Sequence, residues 1–486
     1  MWKAFRCFIF AIATITALPL VAQESTAYSR FGLGLLNENN FMASRAMGGL
    51  GASFQSTESI NFANPASYAR LNLIAFEGAM TGGVNRVSSN FGSGTTGNVN
   101  LSYLTFSMPV MKDRWVSSFG VVPFSQKEYL VSDTVNLSES SSVGNIFEGT
   151  GTLYTIYWGN GFKHKDFSIG FNIGYLFGSI DATSLSIPLD EDGFSDPYSF
   201  TTIERNKLKA SGLLWNAGVQ YSIPLQDVEF DKNQHKKLKL EVGFAFNSSY
   251  KIGNNSSVES SKYSLYSISI PTKDDGESYT DFIDDLLAIT AEAEASNVSG
   301  VDIDTFLAPT TAKVGLKMPM NLNGGFTFVK VVRDITFWKA GFDVKWTPWS
   351  QYNGFETGEG GQLSDSWRIA FGGEIFPLGG GHQELRSKTF SQLKYRAGFY
   401  YSRTSVTVQN TAINEFGINF GIAIPIRLRM VNDDGYYGYR KVHPFSLGFE
   451  VGSRGTKEND LIKDNFVRIN LGISLNDKWF VKRKYN

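Results

Sequence analysis

Cysteine is all but missing from this chain: Cys7 is the only one in 486 residues. It stands beside an apolar run from Phe8 to Ala22, preceded by Lys3 and Arg6, that is too short for a spanning helix and has the build of a secretory signal peptide cut after Ala22. The mature chain is then free of thiols, which excludes disulfides and Cys-ligated metals. Long apolar runs are missing as well, for no later segment approaches the length of a membrane-spanning helix. Histidine is scarce. His164, His235, His382 and His443 are scattered in or beside predicted turns, so no Ser-His-acid set and no metal cluster can be argued from them. We therefore expect no catalytic residue, no metal and no cofactor. A net charge of −1 gives no argument for nucleic acid.

The chain is rich instead in aromatic residues and glycine, with 39 Phe, 21 Tyr, 9 Trp and 49 Gly. That mixture suits aromatic-bordered strands with an apolar outer face and a polar inner one. In TAINEFGINFGIAIPI, Phe416, Ile418, Phe420, Ile422 and Ile424 fall on one face, while Glu415, Gly417, Asn419, Gly421 and Ala423 fall on the other. Val467, Ile469, Leu471, Ile473 and Leu475 oppose Arg468, Asn470, Gly472 and Ser474 in the same way. An inward Glu415 or Arg468 is costly in a dry core and cheap in a wet lumen. Lys339, Asp343, Lys345, Arg368, Glu374, Lys394, Arg396 and Glu450 fall on the same inner face, where such charges solvate and cross-link a lumen.

Counting such segments predicts an all-β fold, a transmembrane antiparallel β-barrel of about fourteen strands between 72 and 486. The eighth strand is placed at 310–331 and the ninth at 335–350, with MNLNGG as an alternative turn between them. Short connections alternate with long ones, which orients the barrel with both chain ends in the periplasm and a 253–309 insertion outside the cell. Two turns on the periplasmic side, 225–236 and 427–442, are longer than that rule prefers. The insertion predicts a short amphipathic helix in which Phe282, Leu286 and Leu287 share an apolar face, a candidate external capture site. GSGTTG at 92–97 fits a dinucleotide glycine pattern, yet it opens no helix and reads as a loop.

Residues 23–71 precede the first strand and hold MGGLGAS and NFANPAS, small-residue and turn-forming stretches suited to a confined plug. On these two motifs the chain resembles the FadL family of outer-membrane long-chain fatty-acid transporters. GVVPF, DVKWTPWS and SWRIAFGGEIFP with LKYRAGFYYS resemble later strands of that family in the expected order, and GLGL with the KWFVKRKYN tail suggests a divergent Bacteroidota branch. The resemblance implies a fourteen-stranded outer-membrane barrel with an N-terminal plug, in which Asn64, Pro65 and Ala66 belong to a movable element. It also implies a lateral gate at Gly120, Pro123 and Phe124 through which a hydrophobic ligand passes from lumen to bilayer. Pro123 has independent physical meaning, since proline cannot donate to a ladder. The partners implied are outer-membrane lipid and a fatty-acid-like ligand. Fold does not dictate function, and the alternative is a barrel subunit of a protein-export or outer-membrane assembly complex, with other outer-membrane proteins as partners.

Overall fold

A computed structural model describes residues 26–477 apart from 39, 139–140, 190–198, 232–233, 248, 253–255, 267–302, 333–334, 354–360, 378–388 and 432–436. Leu35–Leu36 forms a two-residue strand, β1, and the wall starts with β2 (Ile74–Ser88), β3 (Ser93–Met111) and β4 (Trp115–Gln126). It continues through β5 (Tyr129–Ser138), β6 (Ser141–His164), β7 (Phe167–Leu189), β8 (Phe200–Asp231) and β9 (Gln234–Asn247). Four strands then leave the wall's order: β10 (Tyr250–Ile252), β11 (Ser257–Tyr266), β12 (Ile303–Lys313) and β13 (Leu316–Met318). The rest are β14 (Asn321–Val332), β15 (Ile335–Thr347), β16 (Gly361–Leu363), β17 (Ser366–Ile375), β18 (Lys394–Val408), β19 (Thr411–Val431), β20 (Tyr437–Gly455) and β21 (Lys463–Asp477).

Fourteen strands close the antiparallel barrel in the order β2, β3, β4, β6, β7, β8, β9, β14, β15, β17, β18, β19, β20, β21. β21 returns to β2, from Ile74↔Asp477 to Ser88↔Lys463. The alternation read from sequence sets the faces. Phe416, Ile418, Phe420, Val467, Ile469 and Leu475 stand exposed on the outside, whereas Glu415, Asn419, Asn470, Lys339 and Asp343 are buried inside. No helix among the described residues is long and apolar enough to cross a membrane. Phe420→Arg puts a charge on the lipid face and is expected to cost about 2–4 kcal/mol near the bilayer midplane. Asn419→Ser, on the lumen side, should cost much less, and refolding into bilayers separates the two.

Several expectations change in detail. The eighth wall strand is β14, beginning at Asn321, and MNLNGG lies at and inside its start instead of forming a turn. Residues 303–313 belong to β12, which pairs with β11, and β11 pairs in turn with the upper half of β8 from Ser257↔Lys209 to Tyr266↔Phe200. The insertion thus raises the wall on one side. Pro319 falls between β13 and β14, where a missing donor is tolerated. The predicted helix with Phe282, Leu286 and Leu287 lies outside the described residues, as do the signal peptide and the tail after 477. The two long turns expected on the periplasmic side continue their ladders, β8/β9 to Asp231↔Gln234 and β19/β20 to Val431↔Tyr437. GSGTTG is mostly strand, because β3 starts at Ser93.

The position of the N-terminal segment is a correction. Both ends were expected at the periplasmic rim, yet Thr26 donates to Asp464 and Tyr28 to the Ile462 carbonyl, at the rim where β21 begins and the long connections gather. The segment then descends through the lumen to Ile74 at the opposite rim. A plug of this length can run the full height of the lumen, which a reading of local turn chemistry does not reveal.

Candidate functional site: a seated plug beside a break in the wall

The plug is held by turn chemistry and by glycine. Asn64 caps the 3-10 turn Pro65–Arg70: its Oδ1 accepts from Ala66 N at 3.1 Å, and its Nδ2 donates to the Ala52 carbonyl at 2.6 Å. Proline suits the first helical position, where its missing N–H costs nothing. Asn64, Pro65 and Ala66 are all buried, and Tyr68 below them donates to Asn172 of β7 at 3.0 Å. Wall glycines take the plug directly, most of them against its backbone. A Cβ at Gly170 would overlap Pro65, one at Gly218 would overlap Asn64, one at Gly243 would overlap Ala52, and one at Gly398 would overlap Met47 and Gly48. Gly48 and Gly49 of the MGGLGAS stretch have φ of +72° and +96°, which L side chains rarely adopt. These seats fix the plug from several sides of the barrel.

Charge fastens it further. Asp343 accepts from the Gly51 and Ala52 amides at 2.6 and 2.7 Å, and Lys339 donates to the Gln55 carbonyl. Lys345 pairs with Glu38 and Lys394 with Glu58, each at 2.7 Å. Burial opposes ionisation of Glu38, but the Lys345 and Arg368 cations outweigh it and hold the carboxyl below its ordinary range. Wall-to-wall pairs join Arg396 to Glu374 at 2.8 Å, Arg454 to Glu415 at 2.7 Å and Arg468 to Glu450 at 3.3 Å. The Tyr400 hydroxyl lies 2.7 Å from Glu415 Oε1 and 2.8 Å from Glu450 Oε1, placed to donate its one proton to either, and the Arg368 guanidinium lies 3.6 Å over its ring. The inner-face charges read from sequence are therefore brought together. Glu38, Glu58, Tyr400 and Arg454 were missed; Arg454 was within reach, being two steps of alternation from Glu450.

Gly120, Pro123 and Phe124, the residues expected at a lateral gate, straddle a discontinuity in the wall. β4 pairs with β3 from Met111↔Trp115 up to Leu104↔Val121 and no further. Above that point β4 keeps β6 on one edge, with a register shift between Pro123 and Ser125, and takes β1 of the plug on the other, as Leu35↔Gln126 and Leu36↔Ser125. Asn37 completes the exchange by donating its N–H to the Phe124 carbonyl at 2.9 Å and its side-chain amide to the Pro123 carbonyl at 3.0 Å. Gly120 sits below the break, still opposite Thr105, where a Cβ would crowd Tyr157 and the Leu104 carbonyl. Phe124 turns inward against a cluster around Leu33, Leu153 and Leu176. Across the break, β3 above Leu104 has β2 on one edge and, among the described residues, no strand on the other.

That bare edge lies at the level of the outer apolar band, because Val99 and Leu101 stand exposed there and Leu101 pairs with lipid-facing Met80. Unpaired backbone at membrane depth is tolerated only where it is buried in protein or lines a wet cavity. A cavity of about 390 Å³ meets it, bordered by Leu36, Leu101, Pro123 and Phe124 on the side of the break and by Arg45, Arg368 and Glu415 deeper in.

A plugged fourteen-stranded antiparallel barrel of FadL type is an outer-membrane protein. Within that class the chain belongs to the BamG family, whose family model matches residues 1–486. Two solved structures share the fold at low identity. A FadL homologue of Pseudomonas aeruginosa has a TM-score of 0.51 and 12% identity, covering 91% of this chain and 98% of its own. The Ralstonia pickettii toluene transporter TbuX has a TM-score of 0.50 and 12% identity, covering 90% and 99%. No curated protein matches the sequence.

Proposed function

We propose that the barrel conducts hydrophobic, fatty-acid-like small molecules from its outer mouth and releases them sideways into the bilayer beside Pro123 and Phe124. The observation that carries this reading is the bare edge of β3 at the level of the apolar band, next to a cavity with one apolar side. The glycine seats favour a plug that stays in place over the shifting plug that the resemblance implies, so the route ends in the wall and not in the periplasm. Two relatives in fold, a FadL homologue and a toluene transporter, lend the reading a precedent.

A second reading, a barrel subunit of an outer-membrane assembly or export complex, draws on separate observations. The deeper side of the cavity is charged where a hydrophobic passage would be apolar, the plug is locked, and the chain is a BamG family member. Uptake of a labelled fatty acid, with surface expression matched, tests both. Native uptake above that of the deletion strain, lowered towards it by Pro123→Val, which restores the missing ladder donor, is the expected result. No native uptake of any apolar probe, together with stoichiometric co-purification of other outer-membrane proteins, would transfer the conclusion to the second reading.

A further inference from the structure

We infer that residues 26–37 act as an exchangeable strand that holds the wall open by competing with β3 for one edge of β4. The contacts of this strap follow that edge residue by residue. Thr26 N donates to the Glu128 carbonyl at 3.2 Å, and Ser29 Oγ donates to the same carbonyl at 2.8 Å. The Lys127 ammonium donates to the Arg30 carbonyl at 3.0 Å, β1 pairs with Ser125 and Gln126, and Asn37 bonds the carbonyls of Phe124 and Pro123. From 123 to 128 the strap thus takes hydrogen-bonding positions that the β3 side of a continuous wall would use.

On its complementary edge β3 has no partner strand above Leu104 among the described residues. Carrying the Leu104↔Val121 register upward sets Asn100 opposite Ser125, and both line the lumen cavity. One tether across the gap already exists, since Asn100 Nδ2 donates to Gln126 Oε1 at 3.1 Å. Two partners, one intramolecular and one from the plug, therefore fit a single edge. Only one can be seated at a time, and the loser's backbone groups must find water or the cavity.

The strap carries its own adaptations for winning. Gly32 and Gly34 have φ of +55° and +88°, and a Cβ at Gly34 would overlap the Gln126 carbonyl, so glycine is needed for the close approach. Its outer end is moored on the other bank of the break, where Tyr28 packs with Val406, Ile413 and Leu461 and Thr26 donates to Asp464. When the strap leaves, β4 straightens onto β3 and the wall closes. This regulates the same opening that the proposed function uses and rests on that reading for its purpose, but its test reads strand pairing and not transport.

The experiment introduces Asn100→Cys/Ser125→Cys in a Cys7→Ser background and follows disulfide formation in outer membranes. The pair falls on a non-hydrogen-bonded site, because the edge bond is taken by the Phe124 carbonyl beside it, and antiparallel Cα atoms there come within about 4.5 Å, where a disulfide is feasible. The full chain should give no cross-link. A chain lacking residues 26–37, and a Gly34→Val chain in which the strap is intact but cannot approach β4, should both give a cross-linked band of altered mobility. Folded barrels that fail to cross-link in either variant, or a full chain that cross-links as readily as they do, would overturn the inference. Failed uptake alongside cross-linking as expected would instead leave the strap standing and remove only the transport reading.

Discussion

Gly398→Val is expected to prevent the plug from seating and to destabilise the barrel by more than the ~1–3 kcal/mol of ordinary overpacking. The reason is what surrounds the position: the plug's Met47 and Gly48 backbone occupies the space a side chain would fill, and backbone cannot swing aside as a side-chain tip can. Gly48 offers no relief, being itself in a left-handed conformation against the Phe399 carbonyl. Gly324→Val is the control. A Cβ there meets only Phe244 at 3.6 Å, an ordinary contact, so the same substitution should be tolerated. Denaturant unfolding with a mobility assay for the compact barrel distinguishes the two; equal effects would mean that the glycines serve strand geometry alone.

Arg454→Ala carries the second large effect, about 3–5 kcal/mol, typical of breaking a buried pair from one side. Arg454 and Glu415 are both largely buried, and the loss would leave the Glu415 carboxylate with Tyr400 as its remaining close donor. The penalty belongs to the stranded charge more than to the lost bond. Arg454→Met combined with Glu415→Leu should therefore recover most of the stability, and a double-mutant cycle measures the coupling. If the double variant is no better than the single, the pair is contributing through the plug and not through its own desolvation.

The wall was legible in sequence because its physics is local. Residues such as Phe420 and Asn419 announce opposite solvents by alternation alone, and fourteen such segments imply closure. Where a boundary slipped, at the eighth strand, β11 and β12 continued the same period-two pattern without belonging to the ring, and periodicity has no means of telling a wall strand from a hairpin beside it. The site was only half legible. Asn64-Pro65-Ala66 and Pro123 carry their own turn and ladder chemistry. The partner that replaces β3 is a two-residue strand in a short Gly-Leu stretch, separated from β4 by some ninety positions, and nothing in its own composition names where it binds. Glycine was abundant for a reason alternation conceals: many inward glycines are seats for another part of the chain.

Those seats bear on the order in which the molecule comes together. The plug touches strands from the middle and the end of the wall, with Asn64 against Gly218 and Met42 against Gly448 and Gly472, and its first described residue bonds to one 438 positions later. Contacts of such sequence separation are made late and slowly, after a large loss of chain entropy. A segment whose backbone lies flush against wall glycines on several sides has no route into a finished cylinder. The N-terminal residues, made first, must therefore wait as a mandrel around which the hairpins are laid, and the ladder between β2 and β21 is the last seam to be drawn shut, over a cargo that is the protein's own beginning.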